Sequence, residues 1–228
     1  MSRHFGWHEL LFMVAGLRWT VVLSAVALAV GSIGGLAVAL ARVSRFTPLR
    51  WLARGYIGLL QGTPVLMQLF LAFYGLAVLT GVQMAPWPAV ILAFTLYSAA
   101  FLGEIWRGAI QAVPYTQWEA AFALGLRRLA IMRRVVLPQA VRLAIPPTVG
   151  FLVQLIKGTA VASIIGFVEL TRADQLMVNV TFQPMLVYPL VAALYFAGCW
   201  PISVLARRLE RHLDLNRRPA GEISSAGV

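Results

Sequence analysis

Two runs without charged residues constrain this chain more than any other feature. One run has 23 residues between Arg18 and Arg42, and the other has 49 residues between Arg54 and Glu104. About 20 apolar residues suffice for one helix to cross the hydrocarbon core of a bilayer. The chain of 228 residues is 60% hydrophobic and 12% charged, which is too little charge for the surface of a soluble domain. A multi-pass, all-helical membrane protein is therefore predicted.

Prolines and arginines divide the chain into five predicted spans. The Pro-Trp-Pro segment at 86–88 breaks the longer run, because proline lacks a backbone donor and disfavours continued helix. The fourth span is expected to begin after the proline pair at 146–147, and an arginine pair at 207–208 is expected to stop the fifth. The predicted spans are 19–41, 55–79, 88–107, 147–167 and 185–206.

The distribution of arginines predicts the orientation. Fifteen arginines lie in the segments 42–54, 107–142 and 207–218, which the five spans place on one face. Cytoplasmic loops are rich in Lys and Arg, so these segments are predicted to be cytoplasmic and the N-terminus, with Arg3, periplasmic. This pattern accounts for the net charge of +11 without a nucleic-acid partner. The small, polar segment 214–228 is predicted to be a disordered cytoplasmic tail.

Glycine pairs predict close contacts between helices. Gly31 and Gly35 are four residues apart in the first span, and Gly58 and Gly62 are four apart in the second. Small residues at this spacing let two helix backbones approach each other in lipid. Both pairs are therefore expected to lie in helix interfaces.

The cytoplasmic loop at 108–146 carries the clearest functional signal, because loops of this length usually have structure or function of their own. Pro114 is expected to end one helix, and Thr116 is expected to cap the next with Glu119 as its capping-box partner. Gly125 permits the left-handed turn that stops this helix. A helix, a glycine turn and a second, amphipathic helix are therefore predicted.

The short helix presents a small, apolar face that includes Ala120 and Ala121. Two interpretations are open on these residues alone. The segment could lie on the membrane surface with its arginines facing anionic lipid, or it could enter a groove on a cytoplasmic partner.

The loop resembles the EAA signature of ABC-importer permeases. The matching residues are Glu119, Ala120, Ala121, Gly125, Leu137 and Pro138. Further blocks match the permeases for polar amino acids (histidine, arginine, glutamine, glutamate and opines) over about 15–213. These blocks include Gly62-Thr63-Pro64, Glu104-Ile105-Trp106-Arg107-Gly108, Glu169-Leu170-Thr171-Arg172 and Arg207-Arg208-Leu209-Glu210.

The resemblance implies one permease domain, 1–213, with the ABC type I importer fold, in the bacterial inner membrane. It implies that the six EAA residues dock on ATPase subunits, that ATP and Mg are bound by those subunits, and that a second permease subunit and a periplasmic solute-binding protein complete the importer. The chain has no Gly-x-x-x-x-Gly-Lys-Ser/Thr motif, so no ATP site of its own and no enzymatic activity are expected.

Polar residues within the spans are candidates for the solute path, because burying them in lipid is costly. Lys157, with Gln154 one turn earlier, could face a solute carboxylate or could snorkel or pair with a partner residue. For Glu104, an ion pair with Arg107 three residues later is the favoured interpretation. The candidates for the solute path are Gln61, Thr63, Glu104, Gln154 and Lys157.

Three positions depart from the family pattern. Gly150 stands where many relatives carry Asn, Gly158 follows Lys157 where Asp is common, and Gln61 stands where Arg is common. One hypothesis is that the chain is half of a heterodimeric permease, or that its solute is unusual.

Two alternatives belong to other classes. A membrane-embedded enzyme is disfavoured because His4, His8 and His212 lie near the chain ends and no catalytic or metal-binding arrangement is visible. An ATP-independent channel or carrier stays open, although such carriers usually contain internal repeats.

Overall fold

The computed structural model describes residues 6–214, and all the regular structure in this range is helical. The helices are α1 (Trp7–Val43), α2 (Thr47–Gly62), α3 (Val65–Thr80), α4 (Pro86–Gln111), α5 (Tyr115–Ala123), α6 (Arg128–Ile165), α7 (Leu170–Thr181) and α8 (Pro184–Asp214). Helices α1, α4, α6 and α8 are each long and apolar enough to cross a membrane, and the bent pair α2–α3 can supply a fifth span. The predicted all-helical fold, with a short helix between the third and fourth spans, is confirmed. Arg3 and the predicted tail beyond Asp214 lie outside the described residues.

The second predicted span, 55–79, is not one continuous helix in the structure. Helices α2 and α3 are bent by 104° at a break, and Thr63 is extended there with φ −115° and ψ 142°. Pro64 follows, and a residue before proline is disfavoured in the helical conformation. Helix α2 also begins at Thr47, so most of the arginine-rich segment 42–54 is helical.

The proline pair at 146–147 lies inside α6 and does not precede it, contrary to the sequence expectation. Prolines are tolerated within membrane helices when neighbouring helices hold the segment in place, and α6 packs against α4 and α8. Helix α6 also contains a π-helical turn at Met132–Val136 and ends in 3₁₀ geometry at Thr159–Ile165. Helix α8 continues past the arginine pair at 207–208 to Asp214, because arginine is a good helix former.

Helices α1 and α4 pack closely against each other at glycine residues. A Cβ atom added to Gly31 would lie 2.5 Å from Ser98 Cβ, and one added to Gly35 would lie 2.9 Å from Leu102 Cβ. The prediction for the first glycine pair is therefore confirmed. A Cβ atom on Gly58 or Gly62 would meet nothing within 4 Å among residues 6–214, so the second pair makes no close helix contact within this range.

Three apolar cores hold the helices together. The central core joins α1, α3, α4 and α6 around buried side chains such as Leu23, Leu69 and Phe94. A second core, which includes Val113, Ala121 and Ile131, lies beneath α5, and we call it the loop core. The third core packs α7 against α1 and α8. The short helix α5 is therefore held on the body of the protein by a core of its own.

Candidate coupling helix and solute path

Helix α5 begins at Tyr115, directly after Pro114, and no side chain caps its N-terminus. The prediction that Thr116 caps this helix with Glu119 as its capping-box partner is therefore wrong. The extended backbone of Pro114 already provides the N-cap position, and its carbonyl accepts a hydrogen bond from the Gln117 N–H at 3.0 Å. The helix thus begins before Thr116, and the Glu119 side chain is left exposed.

The C-terminus of α5 is a Schellman turn. Gly125 adopts the left-handed conformation with φ +75°, as predicted. Its N–H donates to Phe122 O at 2.9 Å, and the Leu126 N–H donates to Ala121 O at 3.2 Å, which is the pair of bonds that defines the motif. Leu126 and Ala121 also pack in the loop core, so the turn and the core stabilise the same geometry.

The two alanines of the EAA signature differ in exposure on α5. Ala121 is 4% exposed and packs in the loop core. Ala120 is exposed, as are Glu119 and, at 81%, Leu124. The expectation that both alanines form the outer face is therefore met by Ala120 alone, because residues one position apart on a helix point in different directions.

The Leu137–Pro138 block lies in α6, where its π-helical turn ends. Leu137 is half-buried and packs against the loop core, while Pro138 is exposed. The next residue, Gln139, donates to Val135 O at 2.9 Å and approaches Gln117 Oε1 of α5 at 3.5 Å. This block therefore belongs to the support of α5.

A charged network joins the C-terminal ends of α1 and α4. Glu104 accepts a hydrogen bond from Arg107 Nε at 2.8 Å and a second one from Arg107 Nη2. The predicted ion pair within α4 is thus observed. Arg42 Nη2 of α1 lies 3.9 Å from Glu104 Oε2. Sequence reasoning did not find this contact, because Arg42 and Glu104 are 62 positions apart.

The other candidates for the solute path lie on two separate elements. Gln61 is exposed near the end of α2, and Thr63 at the break donates to Leu59 O at 2.8 Å. Gln154 and Lys157 are exposed on α6, and Gln154 Nε2 donates to Tyr97 OH at 3.1 Å. The structure therefore does not gather the five candidates into one cluster within the chain.

Gln68 is a residue that sequence reasoning missed at the α2–α3 break. Its Nε2 donates to Leu60 O at 2.7 Å and to Thr63 O at 3.0 Å. Leu60 O has lost its helical donor because Pro64, four residues later, has no N–H, and Thr63 O has none because the helix is broken at Thr63. The signal in the sequence is a single amide side chain in an apolar run shortly after Gly-Thr-Pro.

Glu169, from another block of the resemblance, is fully buried at the N-terminus of α7. Its carboxylate accepts hydrogen bonds from the N–H groups of Thr171 and Arg172, both at 2.8 Å, and from Tyr195 OH at 3.0 Å. Burial raises the pKa of Glu169, and these hydrogen bonds oppose that shift. The backbone N–H of the next residue, Leu170, donates a hydrogen bond to a side-chain hydroxyl of α1. This carboxylate thus joins α7 to α8.

These features define a multi-pass membrane protein with a small, largely exposed helix, and the comparisons identify its family. The family described as "Binding-protein-dependent transport system inner membrane component" matches residues 31–218. The chain belongs to this family.

Two similar proteins from Bacillus subtilis (strain 168) are also described as transport permeases. The chain is 36% identical over 200 residues to the probable amino-acid ABC transporter permease protein YckA, with 88% of each chain covered. It is 38% identical over 200 residues to the L-cystine transport system permease protein TcyB, with 87% of this chain and 85% of the relative covered.

A solved structure described as an amino acid ABC transporter with histidines has the same fold. Its TM-score is 0.85 at 32% sequence identity, and the match covers 92% of this chain and 100% of that chain. The protein is therefore a permease subunit of an ABC importer in the inner membrane, and ATP hydrolysis in such a system belongs to the partner ATPase.

Proposed function

We propose that this chain forms part of the translocation path for polar amino acids or related small solutes, and that α5 is its coupling helix. In this proposal residues 1–213 are one permease domain with a periplasmic N-terminus, and the 108–146 loop and the C-terminus are cytoplasmic. ATP and Mg are bound by the ATPase, a second permease subunit provides the opposite wall, and a periplasmic solute-binding protein delivers the solute.

The exposed outer face of α5 is the observation that carries the proposal. Glu119, Ala120 and Leu124 are exposed on it, while Ala121 on the opposite side is held in the loop core. A small helix with one side packed and one side free can transmit a displacement as a rigid body. Motion of a docked ATPase would therefore reach α4 and α6, whose residues build the same core.

Two observations support the solute class. The two relatives above are described as amino-acid and L-cystine permeases. In this chain, Lys157 is the single lysine of the sequence and is exposed on the membrane-spanning helix α6, next to the amide of Gln154. A cation and an amide at this depth can bind the carboxylate of an amino acid. Gln61 and Thr63 are proposed to line the path where α2 and α3 meet.

A pair of charge reversals tests the coupling helix. Glu119→Arg is expected to abolish co-purification of the tagged chain with its ATPase, since it places a large cation on the docking face. Glu210→Arg makes the same change at an exposed position of α8 and is expected to leave the complex intact. Gly125→Val, whose β-branched side chain strains the left-handed turn, should also weaken the complex while membrane insertion is unchanged.

Two outcomes would contradict this proposal. An ATPase that binds Glu119→Arg as well as the wild type would exclude α5 as the docking element. Solute uptake by the reconstituted chain without ATP would favour a channel or carrier. The solute path has a separate test: Lys157→Met should reduce amino-acid uptake without reducing ATPase binding.

A further inference from the structure

Two cavities lie side by side around the cytoplasmic ends of α1, α4 and α6. The first, which we call the inner groove, has a volume of about 520 Å³ and is lined by residues such as Leu36, Leu40, Trp106, Ile110 and Val141. The second, which we call the basic pocket, has a volume of about 470 Å³ and is lined by residues such as Arg42, Arg50, Gln111, Tyr115 and Trp118. Ile110 lines both cavities.

The two cavities follow the same helix faces. On α1 the lining passes from Leu36 and Leu40 in the inner groove to Val43 in the basic pocket, and residues at i, i+4 and i+7 share one face. On α6 it passes from Leu137 back to Met132, across the π-helical turn. The groove and the pocket therefore form one continuous surface, apolar towards the membrane centre and basic towards the cytoplasm.

The basic pocket contains a half-buried cation, Arg42, with one donor atom that has no hydrogen-bond acceptor among the described residues. The Arg42 side chain is 14% exposed, and its Nε is buried without a hydrogen-bond partner among the described residues. Its nearest carboxylate, on Glu104, is 3.9 Å away and is already hydrogen-bonded to Arg107. A buried donor without an acceptor is costly, so an acceptor from outside the chain would stabilise this Nε–H.

The residues of the basic pocket indicate its depth in the membrane. Tyr115 and Trp118 carry amphipathic rings of the kind enriched at the membrane–water boundary. Arg42 and Arg50 belong to an arginine-rich segment, which is typical of the cytoplasmic face. No acidic side chain lines the pocket. The pocket therefore lies at the level of the inner-leaflet headgroups, where anionic lipids are found.

We infer that this surface binds one anionic glycerophospholipid. The phosphodiester accepts hydrogen bonds from Arg42 and Arg50, and an acyl chain occupies the inner groove. The bound lipid would join the end of α1 and the start of α2 to Pro114 and Tyr115 at the base of α5. This inference goes beyond solute transport and depends only on the position of the chain in the membrane.

Native mass spectrometry of the full-length chain in a mild detergent tests the headgroup contacts. The probes are dioleoylphosphatidylglycerol and dioleoylphosphatidylcholine, which have the same acyl chains. We expect one phosphatidylglycerol to be retained in preference to phosphatidylcholine. Arg42→Gln or Arg50→Gln should each weaken its binding about fivefold, the effect of one arginine on an anionic lipid. Arg54→Gln is the matched control, because Arg54 stacks on Trp51 and is not one of the residues that line the basic pocket.

A second pair of variants tests the acyl-chain contact. Ala144 lines the inner groove, so Ala144→Phe should fill it and reduce retention of phosphatidylglycerol. Ala192→Phe adds the same ring at an exposed position of α8 and should change nothing. Excess glycerol phosphate should not displace the lipid, because it has no acyl chain. Displacement by glycerol phosphate would assign the pocket to a soluble phosphate compound and would overturn the inference.

Three other results would also overturn it. They are equal retention of the two lipids, equal effects of Arg42→Gln and Arg54→Gln, and occupation of the groove by a second copy of this chain. The last is measured by disulfide formation through Val141→Cys, at an exposed rim position, in a Cys199→Ser background. Cys199 is the single cysteine of the chain, so a disulfide-linked dimer in native membranes would report contact between two copies at the groove.

Discussion

Replacement of Gly31 by alanine should destabilise the contact between α1 and α4. The new methyl carbon would lie 2.5 Å from Ser98 Cβ and 3.3 Å from Thr95 O. Carbon atoms in favourable contact are about 3.5–4.0 Å apart, so the two helices must separate by about 1 Å. Because Gly35 and Gly103 hold the same two helices together, this separation weakens a long stretch of packing.

A matched variant isolates this effect from helix propensity. Alanine is favoured over glycine within a helix by about 1 kcal/mol, and Gly58→Ala gains this term without a clash, since nothing lies within 4 Å of its new Cβ. The difference between the variants therefore reports the overpacking, which typically costs about 1–3 kcal/mol. For a chain of this length, that difference corresponds to a melting temperature of Gly31→Ala that is roughly 5 °C below the melting temperature of Gly58→Ala.

The single cysteine provides the assay. Cys199 is 5% exposed, so a thiol-reactive fluorogenic maleimide reacts with it when the isolated subunit unfolds on heating in detergent. Gly31→Ala should melt below the wild type, and Gly58→Ala at or above it. Equal melting temperatures for the two variants would refute the argument from helix contact.

Two further predictions concern α7, which packs against α1 and α8. Thr20→Val removes the hydroxyl that accepts the Leu170 N–H at 3.1 Å in a buried site, and should cost about 1–3 kcal/mol in the same thermal assay. The control Thr116→Val should be neutral, because Thr116 is exposed and caps nothing; a loss as large as that of Thr20→Val would contradict this account. Burial raises the pKa of Glu169 above its ordinary value of 4.5, so the unfolded chain releases this proton at a lower pH than the folded chain. Stability should therefore fall as the pH rises from 4.5 through the raised value. Glu169→Gln should flatten this pH dependence. It should do so only in part, because burial also raises the pKa of Asp174. An unchanged pH profile of stability would show that Glu169 does not contribute to it.

Features decided by nearby residues could be predicted from the sequence. The charge-free runs predicted a multi-pass, all-helical membrane protein, because a charged side chain is costly in lipid whatever the fold. Gly125 predicted the end of α5, since its left-handed φ is a property of the backbone itself. The EAA block identified the family and located the loop that α5 occupies.

Only the tertiary structure decided which surfaces these helices share. Ala121 faces the loop core while Ala120 faces outward, because the second core fixes the rotation of α5. Arg42 approaches Glu104 across α1 and α4, and Thr20 binds the N–H of a residue 150 positions away. Hydropathy and backbone preference act within a few residues, whereas these contacts depend on how separate helices pack. The sequence by itself therefore determined the helical class and the family of the protein, and packing decided the inner and outer faces of α5.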